Sequence, residues 1–129
     1  MIVLLDTNAY TALARGDETL LVTLSAASRV LMPTVVVGEL EYGFRFGDRY
    51  AHNRAQLETF LAEDYVEILV IGRRTTIEYG RLCAELRRQG GKIPSNDAWI
   101  AALACEHEAV VMSRDRHLHV VPGISVSDW

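Results

Sequence analysis

The sequence predicts a three-layer α/β sandwich, a central parallel sheet of about five strands with helices on both faces. Three features carry that expectation. Short, continuous apolar runs alternate with longer segments of helical periodicity, so neighbouring strands are joined by crossovers and pair in parallel. The chain has 129 residues, 50% of them hydrophobic and 23% charged, which is the profile of a folded domain. No linker, repeat or biased tract interrupts it, so one domain spanning 1–129 is expected, burying roughly two-thirds of its unfolded surface.

The elements follow in order. Ile2 to Leu5 is a continuous apolar run, the mark of a strand buried on both faces. Thr7 to Arg15 reads as a helix stopped by Gly16. Asp17 to Ser28 is a second helix, with Leu20, Leu21 and Leu24 as its apolar stripe. Val30 to Met32 is the second strand, halted by Pro33. Thr34 to Phe46 is helical despite its valines, because Val36, Leu40 and Phe44 recur every four residues. Tyr50 to Glu63 is a further helix, with Leu57 and Leu61 facing inward. Val66 to Val70 is the third strand. Arg73 to Gln89 is the longest helix, closed by Gly90 and Gly91. Ser95 to His107 is rich in alanine and apolar almost all round, so it is expected to be buried. Ala109 to Met112 is the fourth strand, and Ile124 to Val126 a weak fifth.

Composition excludes several classes of function. Thirteen basic and 17 acidic residues leave a net charge of −4, so no global basic field holds nucleic acid passively. A polyanion could approach only if a divalent metal first neutralised the acids. Cys83 and Cys105 lack CxxC spacing, which argues against a zinc ribbon or a thioredoxin-type site. They are expected to be small buried hydrophobes in a reducing compartment. No run approaches the ~20 apolar residues of a membrane helix. Met1 to Leu5 has no basic flank and meets Asp6 at once, unlike a signal peptide, so the expected location is the cytoplasm.

In parallel α/β sheets, sites form beyond the carboxyl ends of the strands. Four acids pass that filter. Asp6 ends the first strand in LLDTNAY. Glu39 lies one turn into the helix after the second, in PTVVVGELEYG. Asp97 opens the alanine-rich helix in IPSNDAWIAAL, and Asp115 follows the fourth strand in VVMSRDRHL. Asp6, Asp97 and Asp115 stand near helix N-termini, where an acid can simply cap. Yet Thr7, Asn8, Ser95, Asn96 and Ser113 are at hand for that task. Glu39 has Val35 and Gly43 as its i±4 neighbours, and so occupies an otherwise apolar row, whereas Glu41 is expected to pair with Arg45.

Carboxylates about 5 Å apart repel by roughly 3 kcal/mol per pair at an effective dielectric near 20. Four together need a shared proton or bound cations. Oxygen ligands with no His or Cys nearby select Mg²⁺ or Mn²⁺ over zinc. Such an ion suits hydrolysis of a phosphodiester.

With these motifs the chain resembles the PIN-domain ribonucleases, and among them the VapC toxins of toxin–antitoxin pairs. LLDTNAYTALARG is similar to the family's first acidic motif, PTVVVGELEYG to the motif that supplies the glutamate, and GKIPSNDAWIAALACEHEAVVMSRD to the paired downstream motifs. The ending VPGISVSDW also fits. The resemblance implies a PIN-like α/β/α fold and a Mg²⁺- or Mn²⁺-dependent endoribonuclease. Asp6, Glu39, Asp97 and Asp115 would be its catalytic acids, with Asp6, Asp97 and Asp115 as metal ligands and Glu39 acting through a water. The family leaves 3′-hydroxyl and 5′-phosphate ends. It further implies an RNA substrate, a cognate VapB-like antitoxin covering the acidic pocket, and a homodimer.

Asn8 and Ser113 are second-tier candidates, for orienting Asp6 and for contacting a carboxylate or phosphate, with helix capping as the alternative. Twelve of the 13 basic residues are Arg, which matches phosphate bidentately. Arg114 and Arg116, with His117 and His119, surround Asp115 and could hold RNA phosphates, or form a solvated loop. Tyr42, Phe44, Phe46, Tyr50 and Phe60 exceed what one core face needs, and could line an antitoxin groove. An aspartyl phosphatase would want a second acid where Asn8 stands, and a lysine after a strand. A phospho-acceptor module meets the same missing lysine. A stand-alone RNA-processing nuclease of this family is the nearest alternative. A non-catalytic scaffold should have lost one of the acids.

Overall fold

The computed structural model describes all 129 residues. Five strands form one sheet in the order β3-β2-β1-β4-β5, and every neighbouring pair is parallel. They are β1 (Ile2–Leu5), β2 (Arg29–Pro33), β3 (Val66–Leu69), β4 (Val110–Met112) and β5 (Ser125–Ser127). The helices are α1 (Thr7–Ala14), α2 (Glu18–Ala26), α3 (Thr34–Phe44), α4 (Tyr50–Leu61), α5 (Arg73–Arg88), α6 (Ser95–His107) and α7 (Arg116–His119).

The apolar run of β1 takes the centre of the sheet, where Val3, Leu4 and Leu5 are wholly buried. The chain first builds outward through β2 to β3. It then returns to the other side of β1 and adds β4 and β5. The strand order therefore reverses between β1 and β4. The crevice at such a reversal, beyond the strand carboxyl ends, is where a doubly wound sheet binds its ligand. The β1–β4 register pairs Leu5 with Met112, so Asp6 and Ser113 emerge side by side.

The alanine-rich α6 is the buried helix: Ala98, Ile100, Ala101, Ala102, Leu103 and Ala104 all lie in the core. Small side chains let it seat close against α5, where Tyr79 and Trp99 stack with ring centroids 3.8 Å apart. The fully buried Thr75 hydroxyl accepts from the Gly72 N–H and donates to Glu106, pinning the start of α5 to the end of α6.

Several sequence expectations shift. Pro33 belongs to β2 rather than following it. It pairs only with Leu69 of β3, beyond the reach of β1, so its missing N–H leaves no gap on the β1 side. Helix α3 ends at Phe44, because Arg45, Phe46 and Gly47 fold back through i→i−3 bonds to Tyr42, Gly43 and Phe44. That turn removes Arg45 from the helical row of Glu41. Glu41 pairs instead with Arg54 of α4 at 3.4 Å, and Arg45 lies over the Tyr50 ring. The fifth strand falls one residue later than expected. The short α7 has no counterpart in the sequence periodicity. Cys83 and Cys105 are free thiols and only partly buried, and Cys105 Sγ meets the Arg81 guanidinium at 3.2 Å. No helix is long and apolar enough to cross a membrane.

Candidate active site

At the crevice the four acids are delivered by four different elements. Asp6 follows β1 and caps α1, its Oδ1 accepting from the Ala9 N–H at 2.8 Å. It is one of three buried polar residues in the protein, with 6% of its surface exposed. Burial pushes its pKa up, and the nearby Asp115 charge adds to that. The Ser113 hydroxyl and the Ala9 and Asn8 backbone N–H groups oppose it. Ser113 is fully buried, and its Oγ also accepts from the Asp115 N–H at 2.9 Å. One hydroxyl thus joins the end of β1 to the turn after β4.

Asp115 caps α7, with Oδ1 accepting from the His117 N–H at 2.8 Å. Asp6 and Asp115 therefore do cap their helices, although hydroxyl and amide neighbours are at hand for that task. Each recorded bond occupies one oxygen, Oδ1. Asp97 stands in the first turn of α6 behind Pro94, which offers no side-chain cap. Its pKa is pushed up to about 6, first by burial and then by the Asp115 charge. His117 lowers it, while Glu39 and Asp6 raise it further. Glu39 projects from α3 half-buried. Burial raises its pKa, and the charge of Asp6 adds to that. The Thr7 hydroxyl, buried and otherwise without a partner, and the Asn96 side chain partly offset the rise.

The structure thus brings Asp6, Glu39, Asp97 and Asp115 within electrostatic reach of one another. None of the four forms an ion pair with an Arg or Lys. Clustered carboxylates whose charged forms are disfavoured by burial and by one another form the donor set a divalent cation satisfies. The residues present fit such an ion.

One expectation about that donor set fails. A histidine is near: His117 Nδ1 lies 3.1 Å from Asp115 Oδ1 and 3.7 Å from Asp97 Oδ2. Because α7 starts directly at Asp115, residue 117 turns back over the carboxylate that caps it. The sequence signal, a His two residues after a capping Asp, is legible only once α7 is known to exist. Thr7 and Asn96, which the sequence offers only as caps, lie near Glu39 instead.

The remaining candidates separate. Asn8 is exposed and faces Asp6 through its backbone N–H. Arg114 is engaged by the C-terminal residues rather than by the four acids. Its Nε donates to Asp128 at 2.7 Å and its guanidinium lies 4.3 Å from the Trp129 ring centre. Arg116 is exposed on α7 and has no acidic partner. His119 is occupied, with Nε2 2.8 Å from the Ser113 carbonyl.

The model of the family described as "PIN domain" matches residues 3–124. The chain belongs to the PIN domain family. Its relatives include the VapC2 ribonuclease of Haemophilus influenzae, 30% identical, covering 98% of this chain and 96% of that protein. The VapC2 ribonuclease of Rickettsia felis is 28% identical and covers 100% and 98%. At this identity over nearly the full length, the chain stands among the VapC-type PIN domains. Solved structures agree. VapBC2 from Rickettsia felis, bound to a DNA fragment of its promoter, superposes with a TM-score of 0.88 at 25% identity, covering 100% of this chain and 99% of that one. DNA-bound VapBC from Salmonella typhimurium gives 0.88 at 26%, covering 100% and 98%. The expected PIN-like α/β/α fold and VapC resemblance are borne out.

Proposed function

We propose that this VapC-type PIN domain is a metal-dependent endoribonuclease toxin, a single domain over 1–129 acting in the cytoplasm. It hydrolyses RNA phosphodiester bonds, works as a homodimer, and is neutralised by a cognate VapB-like antitoxin. The convergence of Asp6, Glu39, Asp97 and Asp115 without an Arg or Lys ion pair is the single observation that carries this proposal.

Asp6, Asp97 and Asp115 would hold the ion, Mg²⁺ or Mn²⁺. When bound, such an ion neutralises charge on the phosphoryl and leaving oxygens and makes water a stronger nucleophile. Ser113 keeps Asp6 and Asp115 at a fixed separation through its buried hydroxyl. Glu39 is the base for the attacking water: its raised pKa makes it more basic than an ordinary glutamate, and the Thr7 hydroxyl and Asn96 side chain lie near its carboxylate. As the water oxygen bonds to phosphorus its proton passes to Glu39, the P–O3′ bond breaks, and the departing O3′ takes up a proton from solvent. The products are a 3′-hydroxyl and a 5′-phosphate. Exposed Arg116 is placed to meet a flanking phosphate.

For the antitoxin, a cavity of about 610 Å³ between α1, α3 and α4 supports the reading. It is lined by Tyr10, Leu40 and Phe44 and adjoins Thr7 and Glu39. A segment lying there would block the acidic crevice. The DNA-bound VapBC neighbours from Rickettsia felis and Salmonella typhimurium, and VapBC-5 from Mycobacterium tuberculosis, described as a member of the VapBC family of toxin–antitoxin systems, point the same way.

The test is RNA cleavage by purified protein with and without Mn²⁺, beside Asp6→Asn. Cleavage is expected only with metal, and its rate should fall by about 100-fold or more in the variant. Metal-independent cleavage, or full activity in Asp6→Asn, rejects the mechanism.

A further inference from the structure

We infer that His117 supplies a nitrogen ligand, through Nδ1, to the ion held beside Asp97 and Asp115, so that this chain's site favours first-row transition ions over Mg²⁺. The inference rests on the metal-dependent function proposed above and deepens it by assigning the site its selectivity.

The geometry is the first support. One donor atom each from Asp97, Asp115 and His117 lies within 4.8 Å of the other two. Ligands bonded at about 2.1 Å to one octahedral ion stand about 3 Å apart when adjacent and about 4.2 Å when opposite. The separations of 3.1 and 3.7 Å from Nδ1 to the two carboxylates fall in that window.

The second support is how the ring is held. The backbone N–H of His117 donates to Asp115 Oδ1, which folds the first turn of α7 so that the side chain returns over the same carboxylate. The other α7 histidine, His119, spends Nε2 on the Ser113 carbonyl. His117 has only the two site acids as partners, and its side chain is 48% exposed, open to an ion arriving from solvent.

The chemistry then sets the preference. Mg²⁺ demands oxygen donors and retains its waters, whereas imidazole suits first-row transition ions. Replacing one oxygen by Nδ1 therefore lifts transition-ion affinity and leaves Mg²⁺ little changed. The competing role for His117 is a counter-charge for the two acids. That role carries the opposite sign, because removing a counter-charge would tighten the binding of every cation.

The experiment uses Mn²⁺ and Mg²⁺ alone, without RNA. Metal-free wild type and His117→Gln are titrated with each ion by calorimetry, circular dichroism checks the fold, and pulsed EPR reads the Mn²⁺ complexes. The expected result is an imidazole nitrogen coupling in wild type that vanishes in His117→Gln and persists in His119→Gln. Mn²⁺ affinity should fall about tenfold in His117→Gln, the low end for loss of a group supporting a metal site, while Mg²⁺ affinity stays within about twofold. Absence of nitrogen coupling in wild type overturns the inference, as does unchanged or tighter Mn²⁺ binding by His117→Gln. Mn²⁺-dependent cleavage without nitrogen coupling rejects this inference alone. Failure of wild type to bind Mn²⁺ at all rejects it together with metal dependence.

Discussion

Ser113 stands beside Asp6 because β1 and β4 pair Leu5 with Met112, and its fully buried hydroxyl faces the Asp6 carboxylate. The same oxygen accepts from the Asp115 N–H. Deleting it leaves a buried amide and a buried carboxylate each short of a partner. Ser113→Ala should lose about 1–3 kcal/mol of stability in denaturant unfolding. It should also lower RNA cleavage by about 10–100-fold, since both acids lose their common brace. A variant of unchanged stability and activity would show that the hydroxyl braces nothing.

The acids trade stability for function. A carboxylate whose pKa is higher in the folded than in the unfolded state makes folding take up protons. For Asp97 the resulting destabilisation is absent below its ordinary value of 3.8, grows as pH rises from there to about 6, and is constant above. Asp6 and Glu39 carry the same sign. The metal-free protein should therefore lose part of its thermal stability between pH 4 and 7. Asp97→Asn should flatten that loss and raise Tm at pH 7, while abolishing the Mn²⁺-induced rise in Tm. In wild type, Mn²⁺ at 100 times its Kd should add about 2.7 kcal/mol. Calorimetric scans across pH, with and without Mn²⁺, read all three effects.

Arg114 and Arg116 are neighbours in sequence with different surroundings. Arg114 is held by Asp128 and Trp129, whereas Arg116 is free on the surface of α7. Arg116→Gln should weaken binding of a non-cleavable RNA and reduce the slope of log K against log salt by about 1. Arg114→Gln should leave that slope unchanged. Salt titrations of both variants by fluorescence anisotropy separate the two residues.

Much of this molecule was legible in its sequence, for identifiable reasons. Continuous apolar runs such as Ile2–Leu5 have one stable destination, the middle of a covered parallel sheet. An acid placed directly after such a run therefore lands at the ligand-binding end. Asp6 and Asp115 followed from that, and Asp97 from the burial of α6. Features set by tertiary fit were not legible. Four residues make α7 too short to show a period, so the return of His117 over Asp115 was hidden. The end of α3 at Phe44 depends on the turn that carries the chain into α4, and with it went the choice of Arg54 over Arg45 as the partner of Glu41. Which group caps a helix was also decided in space: Asp6 takes the cap of α1 although Thr7 and Asn8 adjoin it in sequence.

The central claim is that oxygens from Asp6, Asp97 and Asp115, brought from distant parts of the chain, meet around one divalent ion. Anomalous diffraction from crystals soaked in Mn²⁺ addresses it directly. The expected map holds a Mn²⁺ peak in the crevice at the carboxyl ends of β1 and β4, about 2.2 Å from carboxylate oxygens of those residues. A crevice without such a peak, at a Mn²⁺ concentration that supports cleavage in solution, would contradict it.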